Sequence, residues 1–142
     1  MLEVRSLDEL ARLVEERPGL YIRWSRGPEA DADRTSRDEL TGAELPGLCA
    51  NPLAVEDWWE DRPVRLWVAR RVHDYHHLRE ERGPGVRAWV LEGEELGRGP
   101  DNEPLVDCKR PVAWVLDEVV AEASRVVEAA TDEDWGPLRR TP

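Results

Sequence analysis

The stretch from Val86 to Leu116 constrains the fold most, because it predicts several extended segments in succession with no helical segment between them. The predicted strands cover residues 86–91, 94–97, 103–106 and 111–116. Strands joined by short connections pair in antiparallel fashion, whereas parallel strands need a crossover that is usually a helix. The pattern therefore favours a mixed or antiparallel sheet over a doubly wound parallel sheet, and it predicts an α+β protein.

Two or three amphipathic helices are predicted to pack on this sheet. Ser6 followed by Glu9 matches a capping box, which predicts a helix from about residue 7 to 17. An apolar stripe with helical spacing predicts a helix of about 28 Å that starts at Pro63 and ends at Gly83. Another stripe predicts a helix capped by Asp117 and running to about residue 130.

The remaining segments complete one predicted domain over residues 1–142. The apolar run 20–25 is typical of a strand, and Pro52 is expected to open a short helix through Trp58 and Trp59. Residues from about 26 to 42 are too polar to bury themselves, so a mobile loop is expected there. The tail from about 131 to 142 is expected to be loose and pinned by Trp135.

The composition limits which aromatic residues can fill the core and which kinds of partner the protein can bind. The chain has seven Trp and no Phe, so indoles must supply most of the large aromatic surface, and each buried ring needs a partner for its N–H. The formal charge of -11 disfavours docking on nucleic acid or on an anionic membrane. No apolar run is long enough for a membrane span, and the N-terminus leads into a charged helix. We expect an acidic cytoplasmic protein.

Cysteines and histidines offer weak candidates for chemistry. Cys49 and Cys108 are far apart with no CxxC pairing, so both are expected to be reduced, packed thiols. His73 and His77 are four residues apart on the predicted long helix and could chelate one metal ion, with His76 between them. Two histidines supply too few ligands for a closed zinc site, so no metal is expected.

A repeated Arg-Gly-Pro-acid pattern carries the main functional hypothesis. It occurs at 26–29 and again at 98–101, each time just after a predicted strand. If those strands are neighbours, both turns open at one end of the sheet and form a polar cleft, which predicts binding of a partner or small ligand through residues 26–38 and 97–104. The candidate ligand-binding residues are Arg26, Glu29, Arg98, Asp101, Asn102 and Glu103. The alternative interpretation is two ordinary turns with solvated charges.

The common catalytic motifs for phosphate loops, dinucleotide binding, hydrolase elbows and zinc proteases are absent, which leaves open whether the chain is an enzyme. A structural or self-associating protein is also possible, in which case an exposed Trp58 or Trp59 would form the apolar contact patch.

Several motifs together resemble a family of small actinobacterial proteins catalogued as a domain of unknown function. They are Trp24-Ser25-Arg26-Gly27-Pro28, Leu45-Pro46-Gly47-Leu48, Asn51-Pro52-Leu53, Trp58-Trp59, Trp67-Val68-Ala69-Arg70 and the run from Arg98 to Val106. The resemblance implies a single cytoplasmic domain and brings no activity with it.

The order of three further segments is similar to that of the ADP-ribosyltransferases: Arg23, then Cys49-Ala50-Asn51, then Asp101-Asn102-Glu103. This likeness implies that Arg23 would bind the phosphates of NAD and that Glu103 would hold a ribose hydroxyl. The sequence departs from that family because Cys-Ala-Asn replaces a serine-containing strand and Asp101 replaces the usual first acid. NAD is the cofactor under this alternative, and none is expected otherwise.

Overall fold

The computed structural model describes residues 1–31, 47–100 and 102–138. Its strands are β1 (Leu2–Val4), β2 (Leu20–Ser25), β3 (Leu48–Cys49), β4 (Asn51–Pro52), β5 (Arg87–Arg98) and β6 (Pro104–Val115). Its α-helices are α1 (Leu7–Glu16), α2 (Pro28–Asp31), α3 (Val64–His73), α4 (Leu78–Arg82) and α5 (Asp117–Ala129), with 3-10 turns at Asp57–Trp59 and Gly136–Leu138. The prediction of an α+β protein with a mixed sheet is confirmed.

The sheet is built around the long hairpin of β5 and β6. Its strand order is β1-β6-β5-β2-β4, with β3 also paired to β6. Only the pairing of β1 with β6 is parallel among the described strands, and the other pairs are antiparallel. The antiparallel hairpin follows from its short connection, because parallel strands cannot be joined so directly.

One end of the sheet closes on itself. Strands β3 and β4 are separated by Ala50 alone, yet Asn51 pairs with Ile22 on β2 while Cys49 pairs with Leu105 on β6. The pairing therefore runs from β2 through β5 and β6 and returns through β3 and β4 to β2. Three register shifts interrupt the β5–β6 hairpin, and such irregularities bend and twist a strand pair. We call this closed part of the sheet the strand ring.

The larger core lies between the sheet and the helices α1, α3 and α5. Side chains alternate along β2, so Ile22 and Trp24 face this core while Arg23 faces the other side. Four tryptophans lie in it, and Trp59 and Trp67 donate their ring N–H to the carbonyl oxygens of Pro63 and Leu53 at 3.1 and 3.2 Å. The fully buried side chains of this core include Leu7, Leu10, Leu20, Val68, Val72, Val90, Val119 and Ala123.

The prediction of a single long helix from Pro63 to Gly83 is wrong. Helix α3 ends at His73, and α4 begins at Leu78. Between them, the amides of Leu78 and Arg79 bond to carbonyls three residues earlier, which tightens the chain into turns. Asp, Tyr and His in this interval have modest helix propensity, so the apolar periodicity alone did not keep the α-helical geometry.

Other boundaries also differ from the predictions. Pro52 lies in β4 instead of opening a helix, and the two strands predicted at 103–106 and 111–116 are parts of β6. Asp117 is the first residue of α5, whose N-cap is Leu116. Part of the predicted mobile loop, residues 28–31, forms α2, and residues 32–42 lie outside the described residues.

Candidate functional site

A buried ion pair occupies the interior of the strand ring. Arg23 on β2 donates from Nε to Asp31 Oδ2 at 2.8 Å and from Nη1 to the carbonyl oxygen of Cys49 at 2.7 Å. The side chains of Arg23 and Asp31 are only 9% and 12% exposed. Because a buried charge is costly without a partner, this pair holds β2, α2 and β3 together.

Ser25 extends the same network. Its hydroxyl donates to Asp31 Oδ2 at 2.5 Å and accepts from the amide of Gly27 at 3.1 Å and from Trp89 Nε1 at 2.9 Å. The hydroxyl thus uses its donor and both acceptor sites, and it satisfies the Gly27 amide and the Trp89 ring N–H. We refer to Arg23, Ser25 and Asp31 as the Arg23 network.

The two cysteines flank the Arg23 network as half-buried side chains. Cys49 lies opposite Leu105, three residues before Cys108 on the same strand, so their Cα atoms are about 10 Å apart and too distant for a disulfide. Burial and the negative charges of Asp107 and Asp31 raise the pKa of the Cys108 thiol. A raised pKa leaves less thiolate, so Cys108 is suited to packing and not to nucleophilic attack.

The first Arg-Gly-Pro turn is part of the fold. Gly27 is buried with a φ of +120°, and a Cβ at this position would lie 2.5 Å from the ring of Trp114. Arg26 donates to the carbonyl oxygen of Pro84 at 3.3 Å, while the side chain of Glu29 is exposed. The amide of Asp31 bonds to the carbonyl oxygen of Gly27 and fixes the turn that delivers the Asp31 carboxylate to Arg23.

The second Arg-Gly-Pro turn forms the exposed tip of the β5–β6 hairpin. The amide of Gly99 donates to the carbonyl oxygen of Glu103 at 2.9 Å. The amide of Asn102 donates to the carbonyl oxygen of Gly99 at 2.9 Å. Arg98 donates to the carbonyl oxygen of Asn102 at 3.1 Å and pairs with Glu95 at 2.8 Å. The Glu103 carboxylate lies against Gly99, and Asp101 lies outside the described residues.

The expectation that both turns open at one end of the sheet is wrong. Ser25, the last residue of β2, lies opposite Arg87, the first residue of β5, whereas the second turn follows Arg98 at the other end of β5. Because β2 and β5 are antiparallel, segments that follow these two strands must leave at opposite ends. Arg26 and Glu29 therefore do not share a cleft with Arg98, Asn102 and Glu103. Whether either turn binds anything stays a prediction.

The first two segments of the ADP-ribosyltransferase likeness are neighbours, and the start of β6, which follows the third segment, lies beside them. Arg23 contacts Cys49, Cys49 lies opposite Leu105, and the amide of Ala50 bonds to the carbonyl oxygen of Pro104 at 3.4 Å. The guanidinium of Arg23 is nevertheless engaged by Asp31 and the Cys49 carbonyl. The NAD alternative stays a prediction.

His73 and His77 were predicted to share one face of a long helix, but they do not. His73 ends α3, and its Nδ1 lies 3.1 Å from Ser124 Oγ, whereas His77 belongs to the turn before α4. Burial and the neighbouring His76 lower the pKa of His73, because both disfavour its charged form. Among the described residues, no three His, Cys, Asp or Glu side chains are grouped so that they could hold a metal ion.

A surface recess beside Trp58 was not predicted from the sequence. It has a volume of about 450 Å³ and is lined by Trp58, Glu60, Asp61, Arg62 and Asp134. Trp59 is buried and Trp58 half-buried, so neither ring is fully exposed. The tandem Trp58-Trp59 was the available sequence signal, but Asp134 joins the recess from a distant part of the chain.

The described structure defines an α+β domain with a curled mixed sheet, a buried polar network and a recess beside its tryptophans. None of its helices is long and apolar enough to cross a membrane. Residues 1–136 match the model of a family of unknown function, DUF6098, and the chain belongs to that family. Neither a search of the curated proteins nor a search of the solved structures gives a significant match.

Proposed function

We propose that this chain is a binding domain and that residues 97–104, at the tip of the β5–β6 hairpin, form its main recognition element. The observation that supports this is the shape of the hairpin: β5 pairs with β2 only as far as Glu92, and residues 94–98 beyond it are exposed. The apolar side chain of Leu96 is 55% exposed there, close in sequence to the charged Arg98. Exposed apolar groups among charges are typical of surfaces that contact other proteins.

The internal hydrogen bonds of the tip support the same proposal. Gly99 bonds through its backbone to both Asn102 and Glu103, so these three residues are held together before any partner arrives. Preformed loops lose less conformational entropy on binding than disordered loops. Residues 26–31 would act as a second, separate contact, with Arg26 and Glu29 as its exposed groups. We further propose that the domain acts in the cytoplasm.

A pair of matched variants tests the recognition element. Leu96→Asn removes the exposed apolar group at the tip, whereas Leu2→Asn removes a similar one, 61% exposed, on the edge strand β1. In quantitative affinity capture from host extract, proteins retained by the wild type and by Leu2→Asn should be lost with Leu96→Asn. Arg98→Ala should weaken the same interactions. Equal capture by all the variants would contradict the proposal.

A second candidate function is NAD-dependent transfer of ADP-ribose. The favouring observation is that Arg23, Cys49 and the chain around Leu105 are neighbours across the strand ring. In that case the backbone around Ala50 and Glu103 would have to receive the nucleotide, because Arg23 already binds Asp31. The chemistry would need Glu103 to stabilise charge that develops on the ribose.

Thermal unfolding with NAD tests this candidate. A ligand present at a hundred times its dissociation constant stabilises the folded state by about 2.7 kcal/mol, which shifts the midpoint by several degrees. Glu103→Gln should abolish the shift if Glu103 contacts the ribose, and Glu95→Gln is the control on the same hairpin. A midpoint that NAD leaves unchanged would remove the transferase candidate and leave the binding domain in place.

A further inference from the structure

The recess beside Trp58 has the chemistry of a site for a small cation. Three of its five lining residues are the acids Glu60, Asp61 and Asp134, and Arg62 is its only base. Glu60 and Asp61 are exposed, and within the described residues no ion pair involves either of them. The recess therefore carries negative charge that the described chain does not neutralise.

Arg62 does not offset these acids, because its own charge is engaged elsewhere. Its Nη1 donates to Glu133 Oε1 at 2.8 Å and to the carbonyl oxygen of Asp134 at 2.6 Å. Its guanidinium lies 3.8 Å from the centroid of the Trp59 ring and 5.6 Å from that of Trp58. The protein thus already holds one organic cation on this indole surface, by attraction between the cation and the aromatic rings.

The aromatic wall of the recess is held rigidly. Trp58 donates from Nε1 to the Glu56 carboxylate at 2.5 Å, and its ring contacts those of Trp59 and Trp67 edge-on. On another side the ring lies against Gly136, where an added Cβ would be 2.9 Å away. A fixed indole attracts an organic ammonium group through its ring, and nearby carboxylates attract it by their charge.

From these observations we propose that the recess binds a small organic cation of the ammonium or guanidinium type. Trp58 would contact the cation through its ring, and Glu60 and Asp61 would supply the compensating charge. The recess has a volume of about 450 Å³ and is open to solvent, so a small molecule in it would stay partly exposed. This site is distinct from the hairpin tip and does not depend on it.

The backbone of Glu60 provides an unusual test. Glu60 has a φ of 58° and a ψ of -131°, a conformation that glycine adopts readily and other residues rarely do. Glu60→Gly removes both the backbone strain and the carboxylate. We expect its thermal midpoint to equal or exceed that of the wild type while its affinity for the cation falls, because the two effects have different origins.

The experiment is calorimetric titration with choline, alongside its neutral isostere in which a tert-butyl group replaces the trimethylammonium group. Choline should bind at one site and the isostere should not. Glu60→Gln should weaken choline binding about fivefold, the change expected for loss of one nearby charge. Asp57→Asn is the matched control, because it removes an exposed charge from the same turn outside the lining of the recess.

Trp58→Phe should weaken choline binding less than Glu60→Gln, because a benzene ring still attracts a cation, though less strongly than indole. Equal binding of choline and the isostere would overturn the proposal, since the site would then be merely apolar. An equal loss in Asp57→Asn would also overturn it, because the effect would then be one of net charge. Absence of saturable binding to the wild type would overturn it directly.

Discussion

The two Arg-Gly-Pro turns share three residues in sequence but have different roles in the structure. In the first turn, Gly27 is buried against Trp114 and leads to the Asp31 carboxylate that binds Arg23. In the second, Gly99 lies at the hairpin tip, and the nearest atoms to an added Cβ belong to the carboxylate end of Glu103. A repeated motif therefore does not imply a repeated role, because the neighbours that a turn contacts decide what its residues do.

The difference also separates stability from recognition. The first turn is connected to the strand ring by a network of buried hydrogen bonds, so changes there should affect the free energy of unfolding. The second turn bonds mainly to itself, so changes there should affect stability little and binding more. Variants of matched chemistry at the two turns test this difference.

The largest expected effect is that of Gly27→Ala. The new Cβ would lie 2.5 Å from a ring carbon of Trp114, and a φ of +120° is strained for alanine. We expect a loss of about 3 kcal/mol from clash and strain together. Gly99→Ala is the control and should cost less than about 1 kcal/mol, because the Glu103 side chain can move away. Denaturant unfolding of both variants measures the contrast, and equal losses would show that the two turns are equivalent.

Arg23→Met should also cost about 3 kcal/mol, because it removes the cation that pairs with the largely buried Asp31 carboxylate and the donor that bonds to the Cys49 carbonyl. The double variant Arg23→Met with Asp31→Leu should lose less than the single variant, since no unpaired charge remains. Unfolding of the two singles and the double gives the coupling energy. Strict additivity would mean that the ion pair does not hold the first turn.

Ser25→Ala should cost about 2 kcal/mol, since it leaves the Trp89 ring N–H and the Gly27 amide without an acceptor. The fluorescence of the tryptophans in the folded protein should also change, because a buried indole loses its hydrogen bond. A loss below that of Gly99→Ala would indicate that water or another group replaces the hydroxyl.

Local patterns predicted much of the fold. The capping box at Ser6 and Glu9 predicted α1, and the hydroxyl of Ser6 does accept from the Glu9 amide at 3.1 Å. Apolar periodicity predicted the path of α5, and the short connection predicted the antiparallel hairpin. These features depend on residues that are close in sequence, so the sequence carries them directly.

Long-range pairing was not predictable in the same way. The ring closes through two-residue strands whose partners, Ile22 and Leu105, are far away in the chain, and so short a strand has no periodicity to read. The Arg23–Asp31 pair joins a strand to a segment whose charges were expected to be solvated. An arginine in the middle of the apolar strand β2 was the available signal, because a charge between buried residues needs a partner. The recess likewise depends on Asp134, distant from Trp58 in sequence.

The smallest expected effect concerns Asn102 at the hairpin tip, where the backbone has a φ of 61°. Asparagine and glycine tolerate this left-handed conformation better than other residues, so Asn102→Gly should change stability by less than about 0.5 kcal/mol and Asn102→Ala should cost about 1 kcal/mol. If the Asn102 side chain takes part in recognition, both variants should lose the proteins captured by the wild type to a similar degree, despite their different stabilities. If only Asn102→Ala loses them, the shape of the tip matters and the amide group does not. Either result would separate the contribution of the backbone shape at the tip from that of the Asn102 amide group.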